Sequence, residues 1–198
     1  MKKTLMAVSL GVAALTLVGC SNQISYGDAT AVETTDIGFG STDLQKIAQE
    51  MTDDMLTFPA IVALTANDRP VVYVERIKNK TTEHIDTESI SDTISTNLLR
   101  SGKFRFVDMG RVEAVRQQLE FQNDSGMVDP TSAISFGKQI GAQYMLYGNL
   151  SSIVKDNGKK KDVYYKFTLR LMDLQTGIIE WADETEIRKQ EHRKKFGL

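Results

Sequence analysis

The sequence predicts an α/β fold: a single domain built on a mixed sheet, with a C-terminal antiparallel meander and helices packed on it. Two patterns lead to this class. In the first half, short β-branched apolar segments alternate with segments of helical period, so successive strands there are joined by crossovers. In the last third, three extended segments are divided only by short turn signals, the mark of consecutive hairpins. A third observation bounds the size. The chain has 198 residues, 41% hydrophobic and 25% charged, a globular composition of one-domain length.

Residues 1–19 precede that domain. Lys2 and Lys3 give a basic start, and residues 5–18 are mostly apolar. That run is shorter than the ~20 residues a spanning helix needs and fits the charged and apolar regions of a secretory signal. It ends at Cys20, the single cysteine of the chain. The stretch Leu17, Val18, Gly19, Cys20 resembles the lipobox of bacterial lipoproteins. The resemblance implies cleavage before Cys20, a thioether from Cys20 to diacylglycerol, and acylation of the freed amine; the alternatives are an uncleaved anchor or a plain signal. Ser21, a non-aspartate after the cysteine, implies sorting to the outer membrane, facing the periplasm. Removing the two lysines of the leader takes the formal charge from −2 to about −4. Neither value carries the basic balance of a nucleic-acid binder. With Cys20 consumed by lipid, no disulfide is available and the fold must rest on its core.

Residues 20–40 are polar, glycine-containing and aperiodic, and are expected to be a lipidated N-terminus and flexible tether. The domain is expected over 41–198. Ser41 or Thr42 is the expected cap of a helix from Asp43, whose Leu44, Ile47, Ala48, Met51, Met55 and Phe58 form one apolar stripe, with Pro59 ending or bending it. Residues 71–77, VVYVERI, read as a buried strand. A helix is expected over 87–100, with Ile90, Ile94 and Leu98 on one face and Gly102 as its stop. Residues 103–108 alternate as a second strand. Val112, Val115 and Leu119 share a helical face, and Asp129 with Pro130 after it starts another helix, which buries Ile134 and Ile140 and stops at Gly141. Strands are expected at 142–154 and 163–174, with a last one beginning at Ile178.

Candidate chemistry is sparse. His84 and His192 are the only histidines, one in a loop and one in a polar tail, with no second ligand at metal-site spacing. No Ser sits in a G-x-S-x-G setting, the glycines of residues 36–41 lack a preceding strand for phosphate binding, and residues 122–129 have too few carboxylates for a calcium loop. We therefore expect no catalytic residues, no metal and no cofactor. Two basic groups remain, Lys159, Lys160 and Lys161 in a turn, and Arg188, Lys189, Arg193, Lys194 and Lys195 in a C-terminal tail. They read either as solvated surface or as contacts for an acidic partner. Trp181 reads as core or half-exposed packing, or as a partner contact.

Four stretches in order behind the lipobox, residues 74–81, 98–108, 140–152 and 169–181, resemble the LpoB-type lipoproteins, activators of penicillin-binding proteins. The resemblance implies a non-enzymatic outer-membrane lipoprotein. It would bind a class A penicillin-binding protein, a peptidoglycan synthase, and raise its activity, so regulating cell-wall synthesis. Asn79, Lys80 and Thr81 match the family's asparagine-basic-threonine loop and are the expected partner-binding residues; the same residues also suit a turn in which Asn79 bonds its own backbone. The alternative is a structural or secretion-related envelope lipoprotein resembling the periplasmic domain of the curli secretion protein. One departure from the family stands out: its members carry a long proline-rich tether, and the tether here is about twenty residues without proline.

Overall fold

The computed structural model describes residues 25–33, 35–108, 110, 112–114, 117 and 136–193. The first helix, α1, runs Ser41–Thr57, two residues earlier than its sequence start signal. Its cap is Gly40, in extended backbone, whose N–H donates to Asp43 Oδ2 at 2.9 Å. The Ser41 N–H is taken by Glu33 Oε2 at 2.8 Å. Two carboxylates therefore serve the orphan donors and the positive end of the helix. Phe58 is extended, as a residue before proline must be, and Pro59 opens a second short helix, α2 (Pro59–Leu64), instead of only ending the first.

Strand β1 covers Val71–Val74, and the chain re-enters the sheet as β2, Lys78–Asn79. The expected seven-residue strand is thus split, and the register shows why. Val74 lies opposite Leu146 and Lys78 opposite Asn149, so one extra residue sits on the 75–77 side. This is a bulge, which aims the next loop away from the sheet, while Ile77 stays buried. Helix α3 spans Thr87–Arg100 as its pattern predicts, capped by Asp86, which accepts from Glu88 N–H at 3.1 Å and Ser89 N–H at 3.4 Å. Gly102, at φ +75°, takes the left-handed turn beyond its end. Strand β3 keeps only Arg105–Phe106 of the six residues expected.

Residues 112–114 and 136–140 are helical, and the second stretch ends at Gly141, φ +75°. Val112 and Ile140 are buried as expected; Val115, Leu119, Asp129, Pro130 and Ile134 lie outside the described residues. In the meander β4, Tyr144–Asp156, is as long as expected but sits two residues later, while β5, Lys160–Asp173, starts three residues earlier than expected and β6, Ile179–His192, runs into the expected tail. Each turn has its own left-handed glycine, Gly158 and Gly177. An aspartate or asparagine also gathers loop N–H groups: Asn157 Oδ1 takes those of Lys159 and Lys160, and Asp173 Oδ1 those of Gln175 and Thr176.

Strand order is β3-β1-β4-β5-β6, with β2 beside β4. The β1 pairs with β3 and β4 are parallel, and β4-β5-β6 is antiparallel, so the sheet is mixed as expected. Along β5, Val163, Tyr165, Phe167, Leu169 and Leu171 point to one face. There they pack with Ile47, Met51 and Met55 of α1, Ile61 of α2, and Ile90, Ile94 and Leu98 of α3. Tyr73, one position on from inward Val72, faces the other way and joins Val112 and Ile140 in a smaller second core. Helices thus cover one face of the sheet, short of the far end of β4 where Val154 is exposed, and the β1 end of the other. Among the described residues no helix is long and apolar enough to cross a membrane.

Trp181 is core: it is 1% exposed, opposite Leu171, and its indole N–H donates to Asp54 Oδ1 at 2.8 Å. That burial removes it as a partner contact. The expected C-terminal tail also needs correction. Arg188, Lys189 and His192 belong to β6, because Lys160, Lys161 and Asp162 of β5 extend the pairing past the turn.

Candidate functional site

The loop after β2 begins where the bulge at 75–77 directs it. Lys80 N–H still donates to Leu150 O at 2.7 Å, closing the β2 ladder, and the chain then leaves the sheet. Asn79 organises the loop over 79–83. Its Oδ1 accepts the Thr81 N–H at 2.9 Å, while its Nδ2 donates to Glu83 O at 2.9 Å. The Thr81 hydroxyl lies 2.8 Å from Asn79 Oδ1 and 3.1 Å from Glu83 O, and has one proton for one of them; its oxygen accepts from Glu83 N–H at 3.1 Å. Two of the three residues expected to meet a partner therefore have their side chains engaged in shaping the loop, which is the turn reading of Asn79. Lys80 between them is exposed and is in no ion pair among the described residues.

Glu83 ties this loop to the rest of the domain. Its Oε1 accepts the Tyr165 hydroxyl at 2.5 Å and its Oε2 accepts the Phe39 N–H at 3.1 Å. The Phe39 ring stands edge-on to Tyr165, with centroids 5.5 Å apart. Burial, and then the hydrogen bond to Glu83, push the Tyr165 phenol well above its ordinary range, with the charges of Glu83, Asp43 and Asp36 adding in the same direction. A second clasp lies close in sequence to the first. Lys189 of β6 donates to Gly38 O at 2.5 Å and to Asp43 Oδ2 at 2.9 Å. Sequence reasoning missed Glu83, Tyr165, Phe39 and Lys189 as a group, because the contacts join positions 44 to 151 apart.

Of the six described members of the two basic groups, Arg188, Lys189 and Arg193 are in ion pairs. Arg188 grips Asp162 through two nitrogens, Nε 3.0 Å from Oδ1 and Nη2 2.6 Å from Oδ2, which holds the Asp162 carboxyl below its usual range. Arg193 meets Asp156 at 3.2 Å and Glu191 at 3.3 Å. Lys159 lies in the turn before β5, whereas Lys160 and Lys161 are in the strand; Lys194 and Lys195 lie outside the described residues, as does Cys20. His84 and His192 are both exposed. No group of three His, Cys, Asp or Glu side chains that could hold a metal occurs among the described residues. A cleft of about 110 Å³ opens between the end of β1 and α3, lined by Glu75, Arg76, Glu88, Asp92 and Phe106. It is below the ~300–1,000 Å³ usual for small-molecule pockets.

Fold and surface together define a mixed-sheet α/β domain whose clearest feature is an internally braced loop presenting one lysine. The family model described as peptidoglycan-synthase activator LpoB matches residues 43–187, from the first turn of α1 to past the middle of β6. The chain belongs to that family. Relatives named penicillin-binding protein activator LpoB include one from Dickeya dadantii, 26% identical over 61% of this chain and 57% of that protein. Another, from Erwinia amylovora, is 30% identical over 57% of this chain and 52% of that protein. The chain thus spans about half the length of the curated relatives it matches. Among solved structures, the LpoB C-terminal domain from Salmonella enterica superposes with TM-score 0.51 at 23% identity, covering 73% of this chain and 98% of that one. At that identity the likeness speaks for the fold, and the fold is the mixed-sheet α/β domain that the sequence predicts.

Proposed function

We propose that this protein is a non-enzymatic outer-membrane lipoprotein, anchored through Cys20 and facing the periplasm. It binds a class A penicillin-binding protein and raises its peptidoglycan synthesis. The observation that carries the reading is the family match over residues 43–187, which takes in the braced loop at 79–83. In this reading residues 1–19 are the signal peptide, and the lipid on Cys20 is the membrane attachment. Three acyl chains there exceed the two membrane signals that already give stable anchoring.

Lys80 is the contact residue. Asn79 and Thr81 act through it, holding the backbone so that the ammonium stands clear of the sheet. A loop ordered before binding loses little entropy on binding. Activation then requires that the domain bind the active state of the synthase more tightly than its resting state, by the factor in which the equilibrium shifts.

A pull-down tests the reading. Purified Cys20→Ser protein is presented to each class A synthase of the same cell. Retention of at least one, weakened by Lys80→Glu, supports the proposal; retention of none overturns it.

A further inference from the structure

The stretch that composition marks as free tether is fastened to the domain over residues 29–33 and 35–40. Gln45 Nε2 donates to Ala29 O at 2.7 Å, and Glu33 N–H donates to Thr42 Oγ1 at 2.8 Å. Glu33 Oε2 in turn accepts the Ser41 N–H at 2.8 Å. Further along, Lys189 holds Gly38 O, Glu83 holds the Phe39 N–H, and the Ile37 and Phe39 side chains pack on the main core. These residues form a strap across the start of α1, the loop after β2, and strands β5 and β6.

We propose that this strap is a releasable length of tether, and that its docking sets how far the domain reaches from its membrane anchor. This rests on the reading of Cys20 as lipidated. Docked from Ala29, the strap leaves nine residues, 20–28, between anchor and domain. They span at most ~30 Å fully extended, or ~17 Å as a flexible coil. Released as far as Gly40, the tether has twenty-one residues, which span at most ~70 Å extended and ~25 Å as a coil. Peeling the strap therefore roughly doubles the extended reach without unfolding a helix.

The strap is built to peel. Its grip is a few hydrogen bonds to Ser41, Thr42, Gln45, Glu83 and Lys189, plus two half-buried apolar side chains, and residues 29–32 are exposed. Segments with so little buried apolar contact occupy the low-stability end of a fold. The Glu83 carboxylate also belongs to the loop at 79–83, so the strap and the loop share one clamp. A protein that shifts the loop on docking at Lys80 loosens the strap, and by linkage a released strap changes the affinity at the loop by the same factor.

The test uses the full mature chain. Cys20→Ser removes its only thiol, so Val32→Cys within the strap and Lys155→Cys, both exposed positions, take a pair of spin labels cleanly. Double electron–electron resonance is expected to give one narrow distance for this parent. Adding Glu33→Ala and Glu83→Gln broadens the distribution and shifts its mean by several ångström. Amide exchange at Phe39 and Ser41 should quicken at least tenfold in the same variant while its circular dichroism is unchanged. A parent distribution already as broad as the variant's, or a variant as narrow as the parent, overturns the strap. Intact mass of membrane-extracted protein reads the anchor separately: a mature chain without acyl groups removes the gain in reach and leaves the docking result standing.

Discussion

The Lys189 ammonium reaches Asp43 across 146 positions of sequence and stops 2.9 Å from its Oδ2, the same oxygen that accepts the Gly40 N–H at the start of α1. One carboxylate thus caps a helix and pins the far strand to it. The Asp43 side chain is 8% exposed and that of Lys189 21%. Breaking the pair leaves a mostly buried charge behind, and the residual exposure keeps the cost below that of a fully buried pair. Asp43→Ala loses cap and pair together and is expected to destabilise by about 2–3 kcal/mol. Lys189→Met, which retains the stem, should cost less. Urea titrations of both variants check the order.

Trp181 reports its own environment, because it is the single tryptophan of the chain. Its burial predicts blue-shifted emission that moves to the red on unfolding. Trp181→Phe keeps most of the packing and gives up the bond to Asp54, an exposed acceptor that water can serve, so about 1 kcal/mol is expected. Trp181→Ala opens a cavity and should cost ~3–5 kcal/mol. Thermal unfolding by circular dichroism separates the two.

Gly148 has no room for a side chain. A Cβ there would fall against the Thr168 carbonyl oxygen of the neighbouring strand, backbone that cannot step aside without parting β4 from β5. Gly148→Ala is expected to abolish cooperative folding or to lower the midpoint by more than ~10 °C, well beyond the ordinary cost of a surface substitution. Differential scanning calorimetry reads it directly.

At alkaline pH the tyrosines should separate. Tyr165 is raised by burial and by its bond to Glu83, and Tyr164 is pushed up to about 12, chiefly by its bond to Glu186. A phenol whose folded pKa lies above its unfolded value adds stability that is complete below the unfolded pKa near 10 and is lost as pH rises through the folded one. Absorbance at 295 nm should therefore show Tyr164 ionising well above pH 10, and Tyr165 only as the fold is lost. A Tyr165 signal at pH 10 with native circular dichroism would contradict this. On the acid side the sign reverses. Asp162, lowered by Arg188, contributes above its unfolded pKa and loses that contribution as pH falls through the folded one.

Lys80 and its neighbours should part company in a comparison of stability with binding. Lys80→Ala leaves the melting midpoint within the ±0.5 kcal/mol typical of surface changes and weakens partner binding several-fold. Asn79→Ala removes the side-chain contacts that shape the loop and should lower both. Calorimetry for stability and surface plasmon resonance for affinity give the two axes.

Legibility in the sequence tracks the range of the interactions. Helix α3 is readable to the residue because its cap, apolar stripe and glycine stop are all local. The meander is readable in kind, but β5 and β6 run further because cross-strand pairs such as Arg188 with Asp162 extend the ladder where composition suggests a turn and a tail. The split of β1 from β2 depends on a one-residue register offset against β4, which no local pattern carries. The loop at 79–81 is visible by motif alone, and its bracing by Glu83 needs Tyr165 and Phe39, 82 and 44 positions away. The strap is hidden for the same reason. Polar, glycine-bearing composition reads as tether whether or not distant carboxylates hold it down.

Activation itself is measured most directly as the rate at which a purified class A penicillin-binding protein polymerises its lipid-linked precursor, with and without the soluble Cys20→Ser protein. The expected result is a faster rate with saturating dependence on the added protein, and a right-shifted curve for Lys80→Glu. A rate unchanged by the protein for every class A synthase of the cell would contradict the proposed role.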